Sequence, residues 1–412
     1  MPPKVVTAFN PDMYGYYEEI EADNGDIYTG DFVAGYYDGE GKITYVDGST
    51  YEGEWKAGKR NGKGVYTSTY GWVYDGEWKD DIKEGKGVCT YADTSVFDGQ
   101  WKQDMPNGTG KYTAADGSVI EGIWTDGVKD GIAIKTYADG SVYNGEWSNN
   151  LPNGEGTYTS IEGWVYVGEF KNGVKSGTGK ITYTDGSTYE GLWQDDMKNG
   201  TGTQVYANKS TYTGTWSNNK ENGQGKLVSS EGWSYTGNFV NGSRQGNGVL
   251  TYKDGSVYEG NFKNNLCNGT GTYKSAEGWT YEGEWANGLR NGQGKYIYKD
   301  GSVYQGEWKN NKENGIGTHT DSSGWTYTGE WKDGLRHGKG KITYKDTSYY
   351  DGDWVNNLKQ GQGAHTYFDE TGKLFGSYVG AFSADKRNGQ GTLTYESGYV
   401  QTGEWKNDNF ME

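Results

Sequence analysis

Leucine, isoleucine, valine and phenylalanine are scarce in this 412-residue chain, and only 32% of it is apolar, a composition that by itself points away from an ordinary aliphatic core. Cysteine occurs twice, as Cys89 and Cys267, at different phases of the pattern described below. No disulfide framework is therefore expected, and both read as buried or idle thiols. Histidine is limited to His319, His337 and His365, without cysteine or histidine companions at ligand spacing. They read as solvated surface residues, and no metal site, cofactor site or catalytic residue is expected. No stretch approaches the roughly 20 apolar residues of a membrane span. The opening "MPPKVVTAFNPDMYGYYEEIEADNG" lacks the basic start and apolar run of a signal peptide, so a cytoplasmic location is expected. Positive charge is in deficit, with 39 Lys and Arg against 56 Asp and Glu and a net charge of -17. That balance argues against nucleic acid and against an anionic bilayer as the main partner.

Rings and glycine are what the chain has in quantity. Phe, Trp and Tyr make up 16% of it and glycine occurs 71 times, so apolar surface is present in aromatic form and order is expected over disorder. An aromatic or apolar residue, then any, Gly, any, then Trp or Phe starts at Tyr28, Tyr51, Tyr74, Phe97, Ile120, Tyr143, Tyr166, Tyr189, Tyr212, Tyr235, Tyr258, Tyr281, Tyr304, Tyr327 and Tyr350, always 23 residues apart. A sixteenth copy starts at Tyr378 after 28 residues, and a seventeenth, led by Gln401, ends at Trp405. The chain thus divides into a tail at 1–13, a partial first repeat at 14–27, an array at 28–405 with a five-residue insertion within 368–378, and a tail at 406–412.

Within one copy, Tyr281, Gly283 and Trp285 alternate with Glu282 and Glu284, the period of two of a half-wet strand. After "ANGLRN", Gly292, Gly294, Tyr296 and Tyr298 form a second alternating run. Asp300 and Gly301 are expected to supply the positive-φ residues of a tight hairpin turn. Such hairpins are too small to stand alone and must pair edge to edge. Gly283, Gly292 and Gly294 are expected to leave slots in which rings lie flat while the sheet bends. The expected fold is all-β, an elongated, curved and twisted single-layer antiparallel β-sheet solenoid of consecutive hairpins, on the order of 160 Å along the array.

The pattern Tyr-Glu-Gly-Glu-Trp-Lys at 51–56, Gly-x-Gly at 62–64 and Tyr-x-Asp-Gly at 45–48 resembles the MORN (membrane occupation and recognition nexus) repeat family. Phe97, Ile120 and Gln401 depart from the leading tyrosine, and Gly131 to Ala133 from Gly-x-Gly. The resemblance implies in-register antiparallel hairpins. Similarity to long MORN proteins of axonemes, radial spokes and other cytoskeletal structures implies a cytoskeletal or ciliary setting, and the family name a membrane-surface or phosphoinositide alternative. For the latter, Lys56, Lys59, Arg60 and Lys63 would have to form a patch, diluted by Glu52 and Glu54.

Twelve tryptophans hold the fifth motif place: Trp55, Trp78, Trp101, Trp124, Trp147, Trp193, Trp216, Trp285, Trp308, Trp331, Trp354 and Trp405. They read as a structural ladder between repeats. Trp72, Trp164, Trp233, Trp279 and Trp325 stand two residues before a leading tyrosine, where other copies usually carry serine, and so extend the ladder on the same face. With Tyr74, Tyr166, Tyr235, Tyr281 and Tyr327 they are the candidate protein-binding residues, on a face expected to be concave. Their spacing, in multiples of 23 residues, suggests a doubled unit of 46. That alternation fits either a relic of duplication or a periodic row of anchors for a helical or extended partner. Paired carboxylates such as Glu52 with Glu54 and Glu282 with Glu284 read as a solvated face without a pocket. The last strand is short of cover, which leaves homodimerisation through an end open.

Overall fold

Every regular element among the described residues (4–5, 9–369 and 371–411) of the computed structural model is a β-strand. The chain divides into two units, Met1–Ala207 and Asn208–Glu412. In the first, strands follow one another from Lys4–Val5 to Met197–Val205; in the second, from Thr211–Ser217 to Asn409–Phe410. Within each unit, sequence neighbours pair antiparallel into an open single-layer sheet, save for the parallel contact of Lys4 and Val5 with Ile20 and Glu21.

One copy shows why these residues make hairpins. Thr280–Ala286 and Leu289–Ile297 are joined by Asn287 and Gly288, both in the left-handed region at φ 51° and 81°. This pair of positive φ angles matches the right-handed strand twist and favours Asn-Gly. The tight two-residue turn therefore lies here and not at Asp300 and Gly301, where it was expected. The second strand consequently starts at Leu289, earlier than its alternating run suggested. The Tyr298 to Ser302 connection is a three-residue loop in which only Gly301 has positive φ. Gly301 N–H bonds to Tyr298 O at 3.0 Å, and the Asp300 carboxylate accepts Ser302 N–H at 2.9 Å. An aspartate in this place thus closes the turn from its side chain.

Between the turns the two strands slip register, from Gly283 opposite Gly294 to Trp285 opposite Arg290. Gly292, at φ 85°, absorbs the extra residues. The bulge exposes the Gln293 N–H, and Glu284 Oε1 accepts it at 2.9 Å. Glu54, Glu169, Glu307, Glu330 and Asp353 do the same for Lys63, Thr178, Ile316, Lys339 and Gln362. The carboxylate one place before the ladder ring is therefore a bulge cap as well as a wet residue.

The insertion lengthens one hairpin. Leu358–Phe368 and Leu374–Ser383 pair out to Phe368 and Leu374, and leave Phe375 61% exposed at the tip.

The copy led by Ile120 departs from the pattern and compensates within itself. Elsewhere the tyrosine ring lies against a Gly-Gly pair, and its hydroxyl donates to the carbonyl three residues on, as Tyr143 to Glu146 O at 2.8 Å. Here Ala133 replaces the second glycine, and the smaller Ile120 leaves room for its methyl. Lys129, 2% exposed, takes over the donation, with Nζ bonding to Ile123 O at 2.8 Å.

Candidate interaction surfaces

The ring face is assembled by the Gly-Gly pairs. A methyl built on Gly283 would stand 2.5 Å from Gly294 Cα and 2.6 Å from Tyr281 Oη, so only glycine leaves the slot that Tyr281 fills. Tyr281 meets Trp285 and Trp308 edge to face at 5.1 and 5.3 Å, and each such contact is worth about 0.5–1.5 kcal/mol. Trp285 Nε1–H donates to Gly271 O of the preceding copy at 3.1 Å, and Trp308 Nε1–H to Gly294 O at 3.3 Å. Rings and hydrogen bonds thus both tie one hairpin to the next. Trp55, Trp78, Trp101, Trp124, Trp147, Trp193, Trp216, Trp285, Trp308, Trp331, Trp354 and Trp405 are all 9% exposed or less. They are packing. Tyr74, Tyr166, Tyr235, Tyr281 and Tyr327 are 0% exposed, so these five tyrosines hold the sheet together and present no surface to a partner.

Trp72, Trp164, Trp233, Trp279 and Trp325 are half-buried. Trp72 stacks on Tyr66, Trp164 lies tilted on Tyr158, Trp279 stacks between Tyr273 and Tyr296, and Trp325 stacks on His319, at centroid separations of 4.9–5.1 Å. A cation from the same hairpin stands over each indole: Lys83, Lys175, Arg244, Arg290 and Arg336, 4.6–6.0 Å away.

The 46-residue alternation has a packing side to it. The residues flanking the three-residue loop close it by a backbone hydrogen bond, as Ser275 N–H to Trp279 O and Tyr298 N–H to Ser302 O. Trp copies read Ser68/Trp72, Ser160/Trp164, Ser229/Trp233 and Ser275/Trp279; copies between them read Tyr91/Ser95, Tyr137/Ser141, Tyr252/Ser256 and Tyr298/Ser302. In these eight pairs one large ring occupies the closing pair, from one side or the other, whereas Ala114/Ser118 carries none and Tyr395/Tyr399 carries two. At Tyr91, Tyr137, Tyr252 and Tyr298 the cation gives way to Pro106, Pro152, Cys267 and Glu313, whereas copies with Tyr45, Tyr183 and Tyr344 keep Arg60, Lys198 and Lys359; Glu313 accepts the Tyr298 hydroxyl at 2.8 Å.

The result in the second unit is a continuous half-exposed ledge. Tyr273, Trp279, Tyr296, Tyr298, His319 and Trp325 follow one another at centroid separations of 4.5–5.6 Å. His319 is therefore a member of the ring face and not a solvated surface residue, and burial lowers its pKa. His365 likewise lies against a ring, tilted on Tyr367 with centroids 4.0 Å apart, and burial, with Lys359 and Arg387 nearby, pushes its pKa down to about 3. His337 lies within the strand Leu335–Thr343. The missed signal was register: His319 and His365 stand cross-strand from Tyr304 and Tyr350, hence on the aromatic side. Cys89 and Cys267 are buried free thiols of that same side, Cys89 cross-strand from Tyr74 and Cys267 from Phe262.

The hollow side of the second unit is the polar one. A groove of about 1030 Å³ runs across its hairpins from Gln224 to Gln305, floored by Gly237, Gly248, Gly260, Gly271, Gly283 and Gly294 and walled by Asn247, Glu259, Asn261, Glu282, Gln293 and Lys295. The concavity expected on the aromatic face is thus found opposite it, because the rings fill their own side. In the first unit, Lys56 and Lys63 line a groove of about 560 Å³ together with Glu54, Glu77, Asp80 and Glu84. Arg60 lies instead on the ring face, ion-paired with Asp81 at 3.1 Å and 4.3 Å from the Trp78 centroid. The four cations of the membrane reading do not gather into one patch.

No curated relative matches the chain. Among solved structures, the TCP domain of SAS-4 (dCPAP) of Drosophila melanogaster, in complex with a proline-rich motif of Ana2 (dSTIL), is similar over 43% of this chain and 90% of that one, at 16% identity and a TM-score of 0.23. The TCP10 domain of Danio rerio CPAP, in complex with a peptide of Danio rerio STIL, is similar over 60% of this chain and 90% of that one, at 10% identity and a TM-score of 0.20. TM-scores at this level establish no shared fold. The MORN repeat sequence model, by contrast, matches sixteen segments between residues 28 and 398, at the hairpins described above. Carrying that repeat along most of its length, the chain belongs to the MORN repeat family, whose repeats are structural and binding units.

Proposed function

We propose that this protein is a non-enzymatic scaffold or adaptor that holds helical or extended segments of other proteins against the ring ledge of its second unit. One observation carries the reading. The ledge from Tyr273 to Trp325 is a run of six neighbouring rings on the aromatic side that packing leaves half-exposed, with Arg290 and Arg336 standing over its indoles. Flat rings with cations beside them suit apolar and proline-containing segments, and Trp, Tyr and Arg are the residue types that dominate interface energies. The proposed setting is the cytoplasm, within a cytoskeletal or ciliary assembly such as the axoneme. Similarity to long MORN proteins supports that setting.

The turn alternation supplies a clean test. In the double variant Ser275→Tyr with Trp279→Ser, the ring moves to the other side of the closing pair, an arrangement the chain already uses at Tyr298 and Ser302. Reversible crosslinking to bound proteins should map to the ledge, and the double variant should lose those crosslinks while keeping its sheet circular dichroism. Crosslinks that avoid the ledge, or survive the ring move unchanged, refute the reading. Imaging the tagged chain in ciliated cells tests the setting separately.

A further inference from the structure

The hairpin of Val119–Thr125 and Val128–Thr136 carries a second surface, on the polar face of the first unit. Ile123, Ile132 and Ile134 are 49%, 57% and 44% exposed there. The next hairpin has Glu146, Glu155 and Thr157 in the same places, and the preceding one has Gln100, Thr109 and Lys111. Folding does not ask for these isoleucines. On the ring side, Ile120, Ala133 and Lys129 satisfy one another, as described above, and on the polar side an isoleucine at 123 forfeits the bulge cap that a carboxylate provides in other copies. Elsewhere on this face exposed apolar side chains stand singly, as Val88, Val167 and Leu192 do, whereas three β-branched ones gathered on one hairpin need an external explanation.

Their surroundings specify the charge of the occupant. Ile132 stands opposite Glu146, and Ile134 opposite Glu121 on one side and Asn144 on the other. Glu155 is exposed on the strand beyond. The one nearby ion pair, Lys111 with Glu121 at 3.2 Å, has both side chains more than half exposed, and such a pair is easily exchanged for another cation. A second copy of this acidic chain, at net charge -17, would meet repulsion there.

We propose that this face docks a basic amphipathic segment of another protein, with its apolar side on Ile123, Ile132 and Ile134 and its lysines or arginines on Glu121, Glu146 and Glu155. The contact is independent of the ring ledge, so a scaffold with both would grip one partner on each unit.

The probe is a fluorescein-labelled helical peptide of about 18 residues, with leucines along one face and lysines elsewhere, titrated with the full chain at physiological salt and read by anisotropy. Saturable binding is expected. The triple variant Ile123→Glu, Ile132→Glu and Ile134→Thr installs the residues of the neighbouring hairpin, so its melting should match the parent. Although it makes the face more acidic, it should bind at least about tenfold more weakly. A peptide with serine in place of leucine should fail to bind the parent. Absence of binding by the parent, equal or tighter binding by the triple variant, or full retention by the serine peptide would each overturn the proposal. So would a parent dimer in sedimentation velocity that the triple variant abolishes, because it would assign the patch to a second copy.

Discussion

Gly294→Ala should open the hairpin at 280–297, and Tyr281→Ile should partly undo the damage. A methyl at Gly294 would stand 2.5 Å from Tyr281 Cε2 and 2.6 Å from Cζ. Tyr281 cannot step aside, since it is 0% exposed with Trp285 and Trp308 on its edges. Overpacking of this kind costs about 1–3 kcal/mol. Tyr281→Ile alone forfeits the hydroxyl donation to Glu284 O, worth about 1 kcal/mol. It also forfeits two edge-to-face contacts at about 0.5–1.5 kcal/mol each, for a loss of about 2–4 kcal/mol. Independent effects would sum to about 3–7 kcal/mol. The copy at 120–136 holds both changes together, as Ile120 with Ala133, so the double variant should cost no more than Tyr281→Ile alone, about 2–4 kcal/mol, a favourable coupling of about 1–3 kcal/mol. Adding Arg290→Lys should lower it further by restoring a donor to the Glu284 carbonyl, as Lys129 does for Ile123. Because a repeat array need not unfold in one step, the readout is hydrogen exchange of peptides covering 280–297. Costs that add within about 0.5 kcal/mol would show that the ring and the glycine do not share one slot, and would refute the account of this face.

Three other outcomes follow from the same packing. Trp279→Ser should cost about 3 kcal/mol, with stacks on Tyr273 and Tyr296 lost, whereas the ring-swapped pair Ser275→Tyr and Trp279→Ser should fall within about 1 kcal/mol of the parent; equal urea midpoints for the two variants would deny the size compensation. Burial pushes Tyr189 and Tyr281 up to about 12, with Arg290 opposing and Glu284 reinforcing the rise at Tyr281, while an unfolded tyrosine ionises near 10. The folded state therefore holds more protons between those values, so stability is full below pH 10 and falls from pH 10 toward 12; complete tyrosinate absorbance near pH 10 with intact sheet dichroism would contradict this. Burial lowers His365 from 6.5 to about 3, so its contribution is present above pH 6.5 and lost as pH falls toward 3. His365→Gln, which copies Gln204 from the same place in another repeat, should flatten the urea midpoint between about pH 7 and pH 5, and an unchanged slope would exclude His365 as the cause.

The hairpins, the period of 23 residues and the Trp ladder were legible in the sequence, because a strand's side-chain period is two and every copy repeats the same alternation. The bulge cap was less legible. Glu284 alternates like any wet strand residue, and only the register slip at Gly292 shows that its carboxylate meets an amide. Asn287 and Gly288 outranked Asp300 and Gly301 as the tight turn for a related reason: both pairs are turn formers, and strand pairing alone reveals which connection has two residues. The anchors divided once depth was known. Tyr281 and Trp279 share a face in any strand, yet the first is wedged between two indoles and sealed while the second stands at the margin beside the loop.

Local alternation, then, determined the strands, their order and the residues of each face. Tertiary structure decided which rings remain reachable, that the groove of the second unit lies on the polar side, and that Ile123, Ile132 and Ile134 come together in the open. The physical reason is that exposure and curvature depend on what adjoining hairpins place beside a residue, and no period within a single strand carries that information.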